Sequence, residues 1–305
     1  MIIWGFRVKD LAKKTWSETL EDNVLGVSAQ VAYNLFFSLF PFLLFIAPLL
    51  GLVGDKQEII NGIMSRLTLP PAAMQMLSDV LKNLVFSENA PGLVSAGALL
   101  AAYSGSNIFT TFMDALNTAY DVKDCRGWWK KRFIALGMLI AAAIVMGLAT
   151  YTMLAGEKTL TLLGDWLGMS QQTARAWTFL QFPIAFVLLT GFLWMQYYFL
   201  PYAKQEKKQV LVGSVFATIL WILATLLFRA YVQNWGAYNP AYGVIGAVMI
   251  LLTWMYISAV VILVGGELNS EIACGTGSVK SRAGAVYAGR IATGEKPGYP
   301  STEIH

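Results

Sequence analysis

Six long apolar runs alternate with polar stretches along the chain. They cover roughly 29–53, 93–113, 133–155, 176–200, 210–228 and 242–266, and none contains Asp, Glu, Lys, Arg or His. A helix that crosses a bilayer needs about 20 mostly apolar residues. Each run therefore predicts one span, and the chain reads as an all-α polytopic membrane protein with both termini on one side. Two polar segments also carry helical spacing. Residues 2–20 place Trp4, Val8, Leu11 and Trp16 near helical intervals with Arg7, Lys9, Lys13 and Lys14 between them, which predicts an amphipathic helix on the membrane surface within residues 1–25. Between the first two spans, Ile59, Ile60, Ile63, Met64 and Leu67 recur at helical intervals. Pro70 and Pro71 follow, then Met74, Leu77, Val80, Leu81 and Leu84. This predicts a helical hairpin capping the outer face over 54–91. The resulting plan is a surface helix (1–25), a six-span membrane domain (26–272) and a Gly-, Ala- and Ser-rich tail (273–305) expected to be disordered.

Composition agrees with this plan. Of the 305 residues, 56% are hydrophobic and 13% charged, about half the roughly 25% charge of a soluble domain. Mean hydropathy is +0.56. A soluble globular enzyme is excluded. The first 25 residues hold no apolar core or cleavage site, so no secretory signal peptide is expected. Net charge is +4, and its placement gives orientation. The N-terminal segment, the loops after the second and fourth spans and the tail hold 16 of the 22 Lys and Arg residues, and the other loops hold 6. The positive-inside rule then puts both termini in the cytoplasm. Basic residues scattered between apolar runs do not form a nucleic-acid surface, and none is expected as a partner.

Candidate chemistry is sparse. The one histidine is His305, and Cys125 and Cys274 stand alone, so no metal cluster, disulfide framework or cofactor is expected. No GxSxG, P-loop or zinc motif is present. Polar residues inside the spans are the conspicuous feature, because an unpaired polar group is costly in hydrocarbon. The first span carries Gln30, Asn34 and Ser38 at i, i+4, i+8. The second carries Ser104, Asn107, Thr111, Asp114 and Thr118 at steps of three and four. Each set lies on one helical face. If the two helices are antiparallel neighbours, Gln30 falls near Asp114 and Asn34 near Thr111 or Asn107. Two readings stay open: the stripes line a polar cavity, or they hold helices together by interhelical hydrogen bonds. Lys131, Arg132, Glu267 and Asn269 form the candidate rim at the cytoplasmic side.

Four segments are familiar together. AYNLFFSLFP (Ala32 to Pro41), DALNTAYDV (Asp114 to Val122) followed by Lys130, Lys131 and Arg132, YYFLP (Tyr197 to Pro201), and YGVIGAVMILLTWMYISAVVILVGGELNSE (Tyr242 to Glu271) resemble, in order and spacing, motifs of the YihY/BrkB family. The family was long labelled ribonuclease BN. The resemblance covers about residues 20 to 272 and implies a six-helix bacterial inner-membrane protein, some of whose relatives are regarded as transporters of lipid or envelope precursors. The ribonuclease label finds no support in these residues, which offer neither a metal cluster nor a basic face with stacking aromatics.

Two functions follow as expectations. The first is a transporter or flippase-like protein for an amphiphilic envelope or lipid-related molecule, with membrane lipids, chiefly anionic head groups at the cytoplasmic face, as partners. The second is a non-transporting scaffold for envelope assembly. An enzyme is not expected, and a homo-oligomer stays open.

Overall fold

The computed structural model describes residues 2–3, 6–53, 56–64, 71–154, 172–235, 243–275 and 280–281. The fold is all-α, as the pattern predicts. The six spans are α2 (Val24–Val53), α5 (Ala90–Ala119), α6 (Trp128–Leu154), α7 (Gln172–Phe199), α8 (Lys207–Trp235) and α9 (Gly243–Gly275). All six are long and apolar enough to cross a membrane. Several run past the purely apolar stretch, because their polar ends still pack. α5 continues through Asn117 to Ala119, and α9 through Asn269 and Ala273.

The N-terminal segment differs from the expected single helix. Ile2–Ile3 (β1) pairs with Phe6–Arg7 (β2), and only then does α1 run, over Val8–Glu21. β-Branched and aromatic residues at 2, 3 and 6 suit extended pairing. The buried face of α1 is Leu11, Thr15 and Thr19, at i, i+4, i+8, while Trp16 is 62% exposed. Packing on α9 thus selects a stripe that includes two threonines rather than the most apolar one. Trp4 lies outside the described residues.

Asparagine and aspartate close two helices. Asn23 (φ 51°) separates α1 from α2, and Asp121 (φ 48°) ends α5. These are the two non-glycine types that best tolerate the left-handed region. At Asp121 the chain makes a Schellman closure, with the Val122 amide donating to the Asn117 carbonyl at 2.9 Å and the Asp121 amide to Thr118 at 2.9 Å.

The hairpin is helical where described: α3 is Lys56–Met64 and α4 is Pro71–Val85. Ile60, Leu81 and Val85 bury against Ala47 of α2. Val80 is exposed, and the side chains of Ile59, Ile63 and Met74 lie outside the described residues.

The spans close a ring in chain order: α2 packs on α5, α5 on α6, α6 on α7, α7 on α8, α8 on α9 and α9 on α2. α2 and α5 pack most intimately. Gly97 permits this, since a Cβ there would stand 2.6 Å from the Phe45 amide nitrogen. The contact falls beside Pro48, which has no N–H to bond the Leu44 carbonyl.

α1, the 120–127 and 200–206 connections and the end of α9 share one end of the bundle, the basic end. Strand β3 (Ala203–Lys204) pairs there with β4 (Lys280–Ser281). The tail is therefore not structureless from 273: α9 extends to Gly275 because Ala273 packs on Tyr120, Val122 and Ala203, and residues 280–281 return to the connection. Residues 276–279 and 282–305 lie outside the described residues.

The main core is one-sided. Its buried members are Val24 and Val31 of α2, Ile108 to Leu116 of α5, Ala135 and Met138 of α6, Leu193 and Tyr197 of α7 with Leu200 just beyond it, Val210 and Ala217 of α8, and Ala259 and Leu263 of α9. All sit in the half toward the basic end. In α6, α7 and α8 no described residue of the other half is buried. Ile144, Met146, Phe179, Phe182, Leu226 and Leu227 there are all more than half exposed.

Candidate functional site

The two polar stripes meet. Asn34 Nδ2 donates to Thr111 Oγ1 at 3.0 Å, and the Thr111 hydroxyl donates to the Asn107 carbonyl at 2.9 Å. Asn107 Oδ1 accepts from the Arg132 guanidinium at 2.8 Å, which also donates to Ser106 Oγ at 2.6 Å. The guanidinium lies over the rings of Tyr103 and Trp128, at 4.5 and 5.3 Å. Asn34, Thr111, Asn107 and Arg132 thus form a continuous chain from α2 through α5 to α6.

The remaining stripe residues behave differently. Ser38 and Ser104 donate back to their own helices, to Leu35 and Ala101. Gln30 is exposed and makes no hydrogen bond to Asp114. Asp114, also exposed, pairs with Lys131 at 3.3 Å. Thr118 bonds the Asp114 carbonyl.

The rim is a dense polar lattice at the basic end. Arg126 is its hub: its guanidinium donates to both Asp124 oxygens at 2.8 and 2.7 Å and to the Leu200 carbonyl at 2.7 Å. Asn117 donates to Asp124 at 3.0 Å and accepts from the Tyr202 amide at 2.6 Å. Tyr120 donates to Gln205 at 2.7 Å, and Gln205 to the Tyr197 carbonyl at 2.8 Å. Asn269, 1% exposed, accepts from the Gly213 amide at 2.9 Å and donates to the Val210 carbonyl. Ser270 donates to the Ala119 carbonyl. Glu267 is buried among these groups. These bonds tie α5, α7, α8, α9 and two connections into one plate.

Electrostatics follow the packing. Burial by itself raises the Asp124 carboxyl, but the hydrogen bonds from Arg126, its charge and that of Lys131 outweigh it and hold the group below its ordinary value. Burial pushes the Tyr120 phenol well above its usual range, with Cys274, Tyr197 and Glu267 adding to it. Tyr120 is therefore a neutral donor across the physiological range.

Sequence reasoning names Asn269 and Glu267 among its candidates but not Asn117, Tyr120, Asp124, Arg126 or Gln205. Asn117 and Tyr120 lay inside a quoted motif. The Asp-x-Arg at 124–126 is a short-range ion pair whose burial only the fold reveals.

Six closed-ring spans, a polar plate at one end and a helical hairpin at the other define a polytopic all-α membrane protein. The chain belongs to the virulence factor BrkB family, which it matches over residues 15–285. It is 30% identical over 243 residues to the putative ribonuclease-like protein YfkH of Bacillus subtilis, covering 80% of this chain and 88% of that one. It is 28% identical over 258 residues to a UPF0761 membrane protein of Psychrobacter sp., covering 82% and 46%. A UPF0761 membrane protein of Azotobacter vinelandii is 27% identical over 268 residues, covering 85% and 62%. The chain thus spans most of the Bacillus relative but under two thirds of the other two. No solved structure matches.

Proposed function

We propose that the chain is a bacterial inner-membrane transporter or flippase-like protein for an amphiphilic, envelope- or lipid-related molecule, with the basic end in the cytoplasm. One observation carries the reading: the buried core and most of the interhelical hydrogen bonds lie at the basic end, whereas no described residue in the other halves of α6, α7 and α8 is fully buried. A helix packed on a neighbour normally buries one face along the contact. Loosely packed apolar surface beside a sealed plate suits a molecule whose tails stay in lipid while its head group is taken in between helices. The plate acts as the closed gate. Membrane lipids with anionic head groups are the partners, drawn by Lys and Arg at the basic end. The reading takes the chain as a non-enzyme; the word ribonuclease belongs to the name of the Bacillus relative.

The second reading, a non-transporting scaffold, is favoured by the Asn34–Thr111 bond, which joins the two stripes directly. The test is reconstitution into vesicles carrying a fluorescent amphiphile, with cysteines replacing Phe228 of α8 and Trp254 of α9, whose rings lie 5.3 Å apart. Transport predicts transbilayer movement that stops when the pair is bridged by a short cross-linker. No movement, with an unchanged separation at that pair whatever amphiphile is added, supports the scaffold.

A further inference from the structure

Beneath α1 lies a cavity of about 290 Å³, walled by three helices. Ala12, Thr15 and Trp16 of α1, Phe216 of α8, and Val264 and Leu268 of α9 are among its lining. The walls are almost wholly apolar. The polar lining residues are Thr15 and Thr19, and of these Thr15, only 6% exposed, has a hydroxyl with no partner. A helical threonine ordinarily donates back to the carbonyl three or four residues earlier, as Thr19 does to Thr15 at 2.7 Å. A buried hydroxyl with no acceptor is a standing cost unless something within the cavity accepts its hydrogen bond.

The surroundings say what that is. The cavity sits at the basic end of the spans, where α1 packs on α9. On α1, Lys9 is one turn from Ala12 and Lys13 one turn from Trp16, so both lie on the Trp16 side of the helix, at the cavity's edge. On α8, Lys208 lies one turn before the lining residue Val212, on the same face. All three lysines are exposed. Lys14 is on the other side of α1, paired with Glu271 at 2.5 Å. Trp16, largely exposed at the cavity's edge, is the residue type that sits at a membrane–water interface.

We propose that this cavity holds one acyl chain of an anionic phospholipid from the surrounding leaflet. The Thr15 hydroxyl donates to the ester carbonyl, and Lys9, Lys13 and Lys208 hold the phosphate. The volume is just under the roughly 300–1,000 Å³ of common ligand pockets, so part of one chain enters and the rest of the lipid stays outside. The lipid completes the packing of α1 on the bundle. A scaffold would bind it as well as a transporter, so this inference does not depend on transport.

The test uses the whole protein in phosphatidylcholine vesicles doped with phosphatidylglycerol carrying a diazirine on one acyl chain. Photolabelled peptides are expected from α1, α8 and α9. Ala12→Trp, which fills the cavity, lowers that labelling about tenfold. Thr15→Val lowers it about fivefold, the worth of one ordinary hydrogen bond. Replacing Lys9, Lys13 and Lys208 together by Gln removes the preference over an equivalent phosphatidylcholine probe. Monodispersity and thermal unfolding without probe show that each variant is folded. Equal labelling of a folded Ala12→Trp variant, or of the unaltered protein by both probes, overturns the proposal. So does Trp16→Cys, in a background of Cys125→Ser and Cys274→Ser, if it cross-links to a second copy while lipid labelling is absent, because the cavity is then a protein contact.

Discussion

Asn34 on α2 and Thr111 on α5 are 77 positions apart in sequence and 3.0 Å apart in the structure. Their bond is the point where the polar stripes of the two most intimately packed spans meet. Such bonds within membranes are worth about 0.6–2 kcal/mol. Asn34→Leu and Thr111→Val should each destabilise by about that amount, and the double variant by clearly less than the sum. Thermal unfolding in detergent measures this cycle. Strict additivity would mean that the two side chains do not interact.

The Asp124–Arg126 pair should be worth more, because its side chains are only 6% and 1% exposed. Removing one partner of a buried pair costs about 3–5 kcal/mol, so Arg126→Ala should loosen the basic end and expose the 200–206 connection to proteolysis. Asp124 also gives a pH dependence. Its folded value lies below the unfolded one. Its contribution is therefore complete above the ordinary carboxylate value of about 3.9 and is lost as pH falls through the lowered value. The acid limb of a stability–pH curve should shrink in Asp124→Asn, while the curve between pH 5 and 8 keeps its shape.

Gly213 is a tighter constraint than its setting on an apolar span suggests. A Cβ there would collide with the Asn269 amide, which bonds the Gly213 N–H and the Val210 carbonyl. Gly213→Ala should destabilise by about 1–3 kcal/mol through overpacking, and pairing it with Asn269→Ala should recover part of the loss. Differential scanning fluorimetry on the two variants decides it.

Apolar length sufficed for the six spans and the hairpin, because each element is long and its period strong. Where elements end was harder: Asn117 and Ala273 extend α5 and α9 past the apolar run through contacts from distant segments. The amphipathic helix near the start is legible, but its packed face is not, because spacing favours Trp4, Val8, Leu11 and Trp16, while packing on α9 chooses Leu11, Thr15 and Thr19. The stripes showed which faces are polar but not whether they enclose a space or bond to each other, since Asn34 reads identically in both cases. The one-sided core was invisible for a further reason. Lipid is as apolar as a leucine core, so Leu193, buried, and Leu227, exposed, carry no mark of the difference.

Orientation is the last prediction. The connections and helix ends that form the polar plate carry Lys123, Arg126, Lys130, Lys131, Lys204, Lys207 and Lys208, and α1 and β4 lie at that same end. Short basic loops are retained on the cytoplasmic side during insertion. The plate should therefore face the cytoplasm and α3–α4 the other compartment. A reporter fused after Glu303 should report cytoplasm, and one inserted at Glu88, exposed between α4 and α5, should report the outside. Neutralising Lys130, Lys131 and Lys207 together should raise the fraction of misoriented molecules, because it weakens the asymmetry where the loops are shortest. A cytoplasmic signal at Glu88 would invert the bundle and, with it, the side on which the loosely packed halves of α6, α7 and α8 open.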